Sequence, residues 1–261
     1  MKQSIMDFRN FLSIFSLLKN LIPKKVLRNY SSFEVKPIKT HKNDVKTVYF
    51  PKDNFYTKFS TSKKAITKID SELQGLKWYC NRLGLKKKYI IKNYYEDKNF
   101  ALIDLKNILG RKIKSWDSLS VNFNFLKKSY FHYIKYSPKQ KLVKIHGDLT
   151  LDNILFMKNK MFIIDWEFFK AKKSFFGYDI AYLFLSAACL PYLKNKKFSK
   201  NDEFYFIKLW KLLMKIKISK KLIYDPFNYF ANKIKNDKIL KRSNFLSKSK
   251  FFPFITPSSH K

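Results

Sequence analysis

Two polar stretches hold the residues whose types and spacing suit chemistry. The first reads Ile145-His146-Gly147-Asp148-Leu149-Thr150-Leu151-Asp152-Asn153-Ile154-Leu155-Phe156, and the second is Phe162-Ile163-Ile164-Asp165-Trp166-Glu167. Residues 142–145 and 161–164 are strand-like runs, so the order is strand, polar loop, strand, then an acid at the second strand's end. Asp148 and Asn153 share the loop, and Asp165 is expected to meet them across the hairpin made by those two strands. A carboxylate and an amide oxygen are hard ligands suited to Mg²⁺, which keeps waters and bridges substrate phosphates. A second carboxylate, left off the metal, can accept a proton from an attacking hydroxyl. These are the parts that phosphoryl transfer requires. A solitary Asp or Asn is more often a helix cap or a turn residue. The joint spacing of His146, Asp148, Asn153 and Asp165 favours the chemical reading.

The elements that must position these groups follow from periodicity. Residues 1–30 read as helical and basic. From 34 to 60 the pattern is strand-like, with a hairpin turning at Pro51-Lys52-Asp53-Asn54. Residues 65–83 return to helical spacing, with Ile66, Ile69, Leu73, Leu76 and Tyr79 on one face and Gly84 as the stop. A second hairpin is expected from 89–94 and 100–105. Strands, a helix and two more strands make a small α+β unit. Beyond Gly110 the character is mainly helical, with helices expected over 118–136, 178–190, 202–216 and 224–234. The tail from Lys241 alternates basic, Ser and Phe residues and is expected to be loosely ordered.

At this point the sequence resembles the aminoglycoside phosphotransferase/choline kinase family, whose members share the protein-kinase fold. His146-Gly147-Asp148, four residues and Asn153 match that family's H-G-D-x-x-x-x-N loop. Ile164-Asp165-Trp166-Glu167 matches its I-D-W-E motif, and Gly177-Tyr178-Asp179-Ile180-Ala181 resembles its G-x-D-x-A helix start. The match is closest over 142–185 and extends by element order over about 34–235. The resemblance implies a two-lobed, kinase-like α+β fold, with a small β-rich N-lobe and a mainly helical C-lobe. The corresponding boundaries are 1–30 for a basic helical segment, 31–107 for the nucleotide-binding lobe, 108–240 for the catalytic lobe and 241–261 for the tail.

The resemblance also implies roles. Asp148 would be the catalytic base, with His146 beside it holding the loop more than performing chemistry, and Asn153 and Asp165 would bind Mg²⁺. Lys58 would grip the phosphates of ATP and be positioned by Glu72 on the following helix. Asp179 would tie its helix to the loop as a buried carboxylate. Residues 102–107 would connect the lobes and read the adenine edge through their backbone. Glu167 is a weaker candidate for substrate contact, while Trp166, Phe168 and Phe169 are expected to pack the lobe. In the first hairpin, where kinases often use Gly, residues 36–46 have none; Lys39, Thr40, His41 and Lys42 would supply side-chain contacts instead. The implied reaction moves the γ-phosphoryl group of ATP to a hydroxyl of a small molecule, an amino alcohol such as choline or a sugar.

Composition narrows the alternatives. Of 261 residues, 46% are hydrophobic, which is too apolar for a disordered basic chain. The formal net charge of +36 first suggests nucleic acid or an anionic membrane. Yet only Arg9, Arg28, Arg82, Arg111 and Arg242 are arginines, and Arg is the side chain suited to bidentate phosphate and guanine contacts. Abundant Lys, Phe, Ile, Asn and Tyr, with scarce Gly, Ala, Arg and Pro, follow an AT-biased codon vocabulary. The charge therefore names no nucleic-acid partner. Cys80 and Cys189 stand far apart, supporting neither a disulfide framework nor a zinc site, and a reduced cytoplasm is the default.

Residues 11–22 are too short to span a bilayer, and residues 1–30 are at most a peripheral membrane contact. Residues 177–193 carry Asp179 and Pro191 and read as a buried core helix. Two other function classes stand beside the phosphotransferase: a non-catalytic kinase-like binding module, and a basic nucleic-acid-binding protein.

Overall fold

The computed structural model describes residues 36–40, 45–50, 54–60, 62–157, 160–191, 198–216 and 218–230. The basic segment 1–30, the tail from 241 and the side-chain contacts expected of Lys39, Thr40, His41 and Lys42 lie outside the described residues. The chain forms two compact units. One includes the residues up to Lys77 together with Leu85–Ile108, and the other comprises Trp78–Gly84 and the residues from Leu109 onward. The fold is α+β, β-rich in the first unit and mainly helical in the second.

The first unit is built on five antiparallel strands: β1 (Lys36–Thr40), β2 (Lys46–Phe50), β3 (Phe55–Ser60), β4 (Ile91–Glu96) and β5 (Ala101–Lys106), in the order β1-β2-β3-β5-β4. Phe50 pairs with Phe55 across the expected first hairpin, and Glu96 pairs with Ala101 across the second. Alternation sets which side chains go inside, so Phe55, Thr57 and Phe59 of β3 are buried while Tyr56 and Lys58 between them are half-buried. A buried carboxylate fixes three strands together. Asp104 on β5 accepts from Thr57 Oγ1 at 2.7 Å and from Asn93 Nδ2 at 2.9 Å.

Residues 101–106 form strand β5, and the division between the two units follows directly, between Ile108 and Leu109. β5 pairs with β3 on one side and β4 on the other, and the amides of Lys106 and Asn107 donate to Ile90 O and Asn54 O. Ala101 to Asp104 are buried in succession, as suits a strand with neighbours on both sides.

Helix α1 (Lys63–Arg82) follows β3. Ser62 caps it, its hydroxyl accepting from the Ala65 amide at 3.3 Å, and Gly84 stops it at φ +66°. Ala65, Ile66, Ile69, Leu73 and Leu76 recur at helical spacing and are buried. The last residues of this helix, from Trp78, group with the second unit.

The second unit packs α2 (Leu119–Tyr136), α3 (Tyr178–Cys189) and α4 (Lys200–Met214) on one another. Every residue of α3 from Asp179 onward is buried, as its nearly continuous apolar run requires. Among the described residues no helix is long and apolar enough to cross a membrane. α4 starts on a capping box between Ser199 and Asp202, and Asp202 Oδ1 also accepts from the Ser120 amide at 3.2 Å, joining the starts of α2 and α4. The helix expected over 224–234 is broken. α5 (Lys220–Tyr224) stops at Asp225 and α6 (Pro226–Tyr229) begins anew, because the residue before a proline disfavours helical geometry. Residues 231–234 lie outside the described residues.

Short strands carry the polar loop: β6 (Arg111–Lys112), β7 (Leu142–Ile145), β8 (Ile154–Met157), β9 (Lys160–Ile163) and β10 (Lys170–Phe175). The hairpin expected between 142–145 and 161–164 does not form. β7 pairs with β10, while β9 pairs with β8. β8 lies much closer in sequence to β9 than β7 does, so the shorter loop closure takes the pairing.

Candidate functional site

The loop begins where β7 ends. His146 is buried, and its amide donates to Asp179 Oδ2 at 2.8 Å; the next amide, of Gly147, donates to Asp179 Oδ1 at 3.0 Å. Asp179 lies in the first turn of α3, and both its oxygens accept charge-assisted bonds from the loop backbone. The sequence expectation for Asp179 is met in geometry. Gly147 adopts φ +87°, and a Cβ there would stand 2.7 Å from the Phe168 carbonyl oxygen. Only Gly permits both the left-handed turn and that approach.

The His146 ring is spent on the loop. The Asp148 amide donates to Nδ1 at 3.3 Å, and Nε2 stands 3.0 Å from the Ile164 carbonyl. Nδ1 is thus an acceptor, so the ring proton sits on Nε2 and is donated to Ile164. The ring also lies 4.7 Å, centroid to centroid, from buried Trp166.

Asp148 is held at three points. Besides its amide, its carbonyl accepts from Asn153 Nδ2 at 2.9 Å, and its carboxylate Oδ1 accepts from the Tyr182 hydroxyl at 3.0 Å. Asn153 closes a 3₁₀ turn over Leu151–Asn153, where its amide donates to Thr150 O at 3.1 Å. Because the Asn153 nitrogen faces Asp148, its amide oxygen is the atom turned to other partners. Ser115, fully buried, donates to Asp152 Oδ1 at 2.8 Å and pins the same turn from outside.

Asp165 comes to this loop through β8 and β9 rather than through β7. Ile154 pairs with Ile163, and the Ile164 amide donates to Asn153 O at 3.0 Å, so Asn153 and Ile164 face each other at the open end of that hairpin. Asp165 follows at φ +67°, a left-handed conformation that Asp tolerates better than most residues. Carboxylate oxygens of Asp165 and Glu167 stand within 4.8 Å of each other. The donor set fits a hard divalent cation: an amide oxygen from Asn153 and carboxylate from Asp165, on adjoining strand ends.

Trp166 and Phe169 are buried, but Phe168 is 44% exposed and does not pack the lobe. The chain turns tightly here, with the Phe169 amide donating to Trp166 O at 2.9 Å. That turn puts the Phe168 backbone against Gly147 and its ring outward. Trp166 Nε1 donates to Ile163 O at 3.0 Å, holding the end of β9. Behind it the Tyr79 hydroxyl accepts from the Ile163 amide at 3.2 Å and contacts His132 Nε2 at 2.6 Å. Burial, reinforced by Lys135, pulls the His132 pKa down to about 4.

In the first unit, Lys58 Nζ on β3 lies 2.9 Å from Glu72 Oε2 on α1. Glu72 is 1% exposed and the Lys58 side chain 15%. β3 pairs on both sides, Lys58 standing opposite Thr47 and Ile103, so the strand that carries the ammonium is fixed in register.

The sequence reading missed Tyr182. Its signal was present: it stands three residues after Asp179, and residues at that spacing share a helix face.

No family model matches the chain, and no curated protein matches it. It is similar to solved structures of small-molecule kinases. One is a choline/ethanolamine kinase family protein from Mesorhizobium loti, with TM-score 0.45 and 12% identity, covering 92% of this chain and 96% of that one. Another is amicoumacin kinase in complex with AMP-PNP, Ca²⁺ and its ligand, with TM-score 0.44 and 13% identity, over 80% and 82%. A third is aminoglycoside 2′-phosphotransferase-IIIa bound to GDP, with TM-score 0.42 and 11% identity, over 87% and 99%.

Proposed function

We propose that this protein is an ATP-dependent phosphotransferase that moves the γ-phosphoryl group to a hydroxyl of a small molecule. The observation that carries this reading is the loop 146–153. It holds one carboxylate, Asp148, by its amide, its carbonyl and its side chain, and it sets an amide oxygen beside the strand end bearing a second carboxylate, Asp165. Such a set separates a proton acceptor from cation ligands.

Asp148 accepts the proton of the acceptor hydroxyl as its oxygen bonds to the γ-phosphorus. The bond from that phosphorus to the β–γ bridging oxygen breaks, and ADP leaves with the electron pair. No enzyme-bound intermediate is needed. His146 keeps the loop in shape through both ring nitrogens. Asn153 and Asp165 would hold Mg²⁺, which supplies charge neutralisation to the phosphates. Lys58, braced by Glu72, binds nucleotide phosphate in the first unit.

For the acceptor we favour an amino alcohol such as choline, or a sugar. Glu167, half-buried two residues beyond Asp165, supports a cationic or hydroxylated group of modest size. A polycationic acceptor is disfavoured by the +36 charge of the chain.

The test is purified protein with Mg·ATP and a panel of amino alcohols, sugars and nucleosides, followed by phosphate transfer to the acceptor. Acceptor-dependent turnover is expected. Absence of turnover across the panel, together with no nucleotide binding by calorimetry at millimolar ATP, overturns the reading in favour of a binding module.

A further inference from the structure

We infer that Tyr182 is a positioning residue for Asp148: its hydroxyl fixes the rotamer of the carboxylate that receives the acceptor proton. The inference rests on the phosphotransferase reading for its meaning and on a single contact for its geometry, Tyr182 Oη to Asp148 Oδ1 at 3.0 Å.

Tyr182 cannot easily follow a moving partner. It lies on α3, 1% exposed, in a helix whose residues from Asp179 to Cys189 are all buried. Its ring sits 6.2 Å from that of Phe230, which is itself buried and 5.0 Å from the ring of Tyr178. Three residues earlier on the same helix face, Asp179 holds the amides of His146 and Gly147. One helix face therefore grips the loop twice, once by its backbone and once by the side chain of Asp148. The two grips share a rigid frame, so the carboxylate is set relative to its own backbone within the tolerance of one hydrogen bond.

Accepting from Tyr182 does not consume the carboxylate. An ionised carboxylate offers about four acceptor positions, so a substrate hydroxyl can be served at the same time. What Tyr182 removes is rotation about Cα–Cβ. Side chains misplaced by about an ångström lose reactions on the order of a hundredfold, so the restraint is worth a kinetic price if it is lost. A phenylalanine at 182 fills the same space and removes the hydroxyl alone.

The experiment compares wild type with Tyr182→Phe in two ways. In the protein without ligands, three-bond couplings to Asp148 Cγ, measured on labelled protein and assigned with Asp148→Asn, report the side-chain rotamer. A single rotamer is expected in wild type and averaged couplings in Tyr182→Phe; unchanged couplings overturn the inference. In turnover assays, kcat is expected to fall about tenfold or more with KM for ATP within about twofold. An unchanged kcat in an active enzyme overturns it as well, and so does a fall that comes with an equal loss of thermal stability and is shared by a distant packing variant such as Phe206→Leu. If wild type turns over no acceptor, the phosphotransferase reading fails on that result, and the couplings alone still decide whether Tyr182 holds Asp148.

Discussion

Asp179 stands 33 residues beyond His146, yet its carboxylate Oδ2 lies 2.8 Å from the His146 amide nitrogen. The distance joins the start of α3 to the start of the loop in one buried contact. A buried carboxylate is costly unless it is bonded, and Asp179 is bonded to two successive amides of the turn it shapes.

Removing that carboxylate leaves two buried donors without an acceptor. Asp179→Ala is expected to destabilise the protein by about 2–6 kcal/mol, since each of the two stranded amides costs roughly 1–3 kcal/mol. Asp179→Asn keeps one oxygen and should cost less. Urea denaturation of the three proteins checks the order; equal stability of Asp179→Ala and wild type refutes the accounting.

Asp148→Asn retains shape and an acceptor oxygen for Tyr182 but loses basicity. Turnover is expected to fall by roughly 10²–10⁴, the usual worth of a positioned base. Nucleotide affinity should change by less than about threefold, measured by calorimetry. Full turnover in the variant ends the assignment.

Lys58 and Glu72 give a prediction that separates stability from binding. Lys58→Met takes the ammonium from a carboxylate that is 1% exposed, at an expected cost of about 3–5 kcal/mol. Replacing both, Lys58→Met with Glu72→Leu, should restore much of that loss while leaving nucleotide binding weak. Thermal midpoints and ATP calorimetry on the single and double variants test both halves. A double variant that binds ATP like wild type removes Lys58 from the nucleotide site.

The half-buried ring of His132 makes stability depend on acidity. Its pKa falls to about 4 in the folded chain from an ordinary 6.5. Between these values the unfolded chain binds more protons, so stability rises with pH there. The penalty is absent above about pH 6.5, grows as pH falls and is complete below about pH 4, reaching roughly 3 kcal/mol from the shift. His132→Gln keeps a hydrogen-bonding group for Tyr79 and does not titrate. Its thermal midpoint should fall less than that of wild type between pH 6.5 and 4.5; parallel curves would exclude His132 as the cause.

What was legible in the sequence was what the chain decides locally. Asp148 and Asn153 lie within one short loop, and helical spacing alone set the buried face of α1 from Ile66 to Leu76. Pairing was less legible, because strands choose partners by closure and burial over long separations. β7 met β10 instead of the run at 161–164, and β10, Lys-Ala-Lys-Lys-Ser-Phe, has no apolar alternation to announce a strand. The strand expected over 100–105 did form, while its interior place between β3 and β4 depends on partners that the segment itself does not announce. Phe168 was misread because a tight turn at the Gly147 contact reverses which ring points inward. Tyr182 escaped notice because its partner lies 34 positions away.

The paired amide bonds to Asp179 also bear on how the loop opens to solvent. Loops that carry sites commonly lie at the low-stability end of a protein, where amide hydrogens exchange through small local fluctuations. The His146 and Gly147 hydrogens can exchange only when the start of α3 lets go of them. They should therefore rank with the slowest-exchanging amides of the helical unit, so that the first residues of the site breathe with the core and not with the surface.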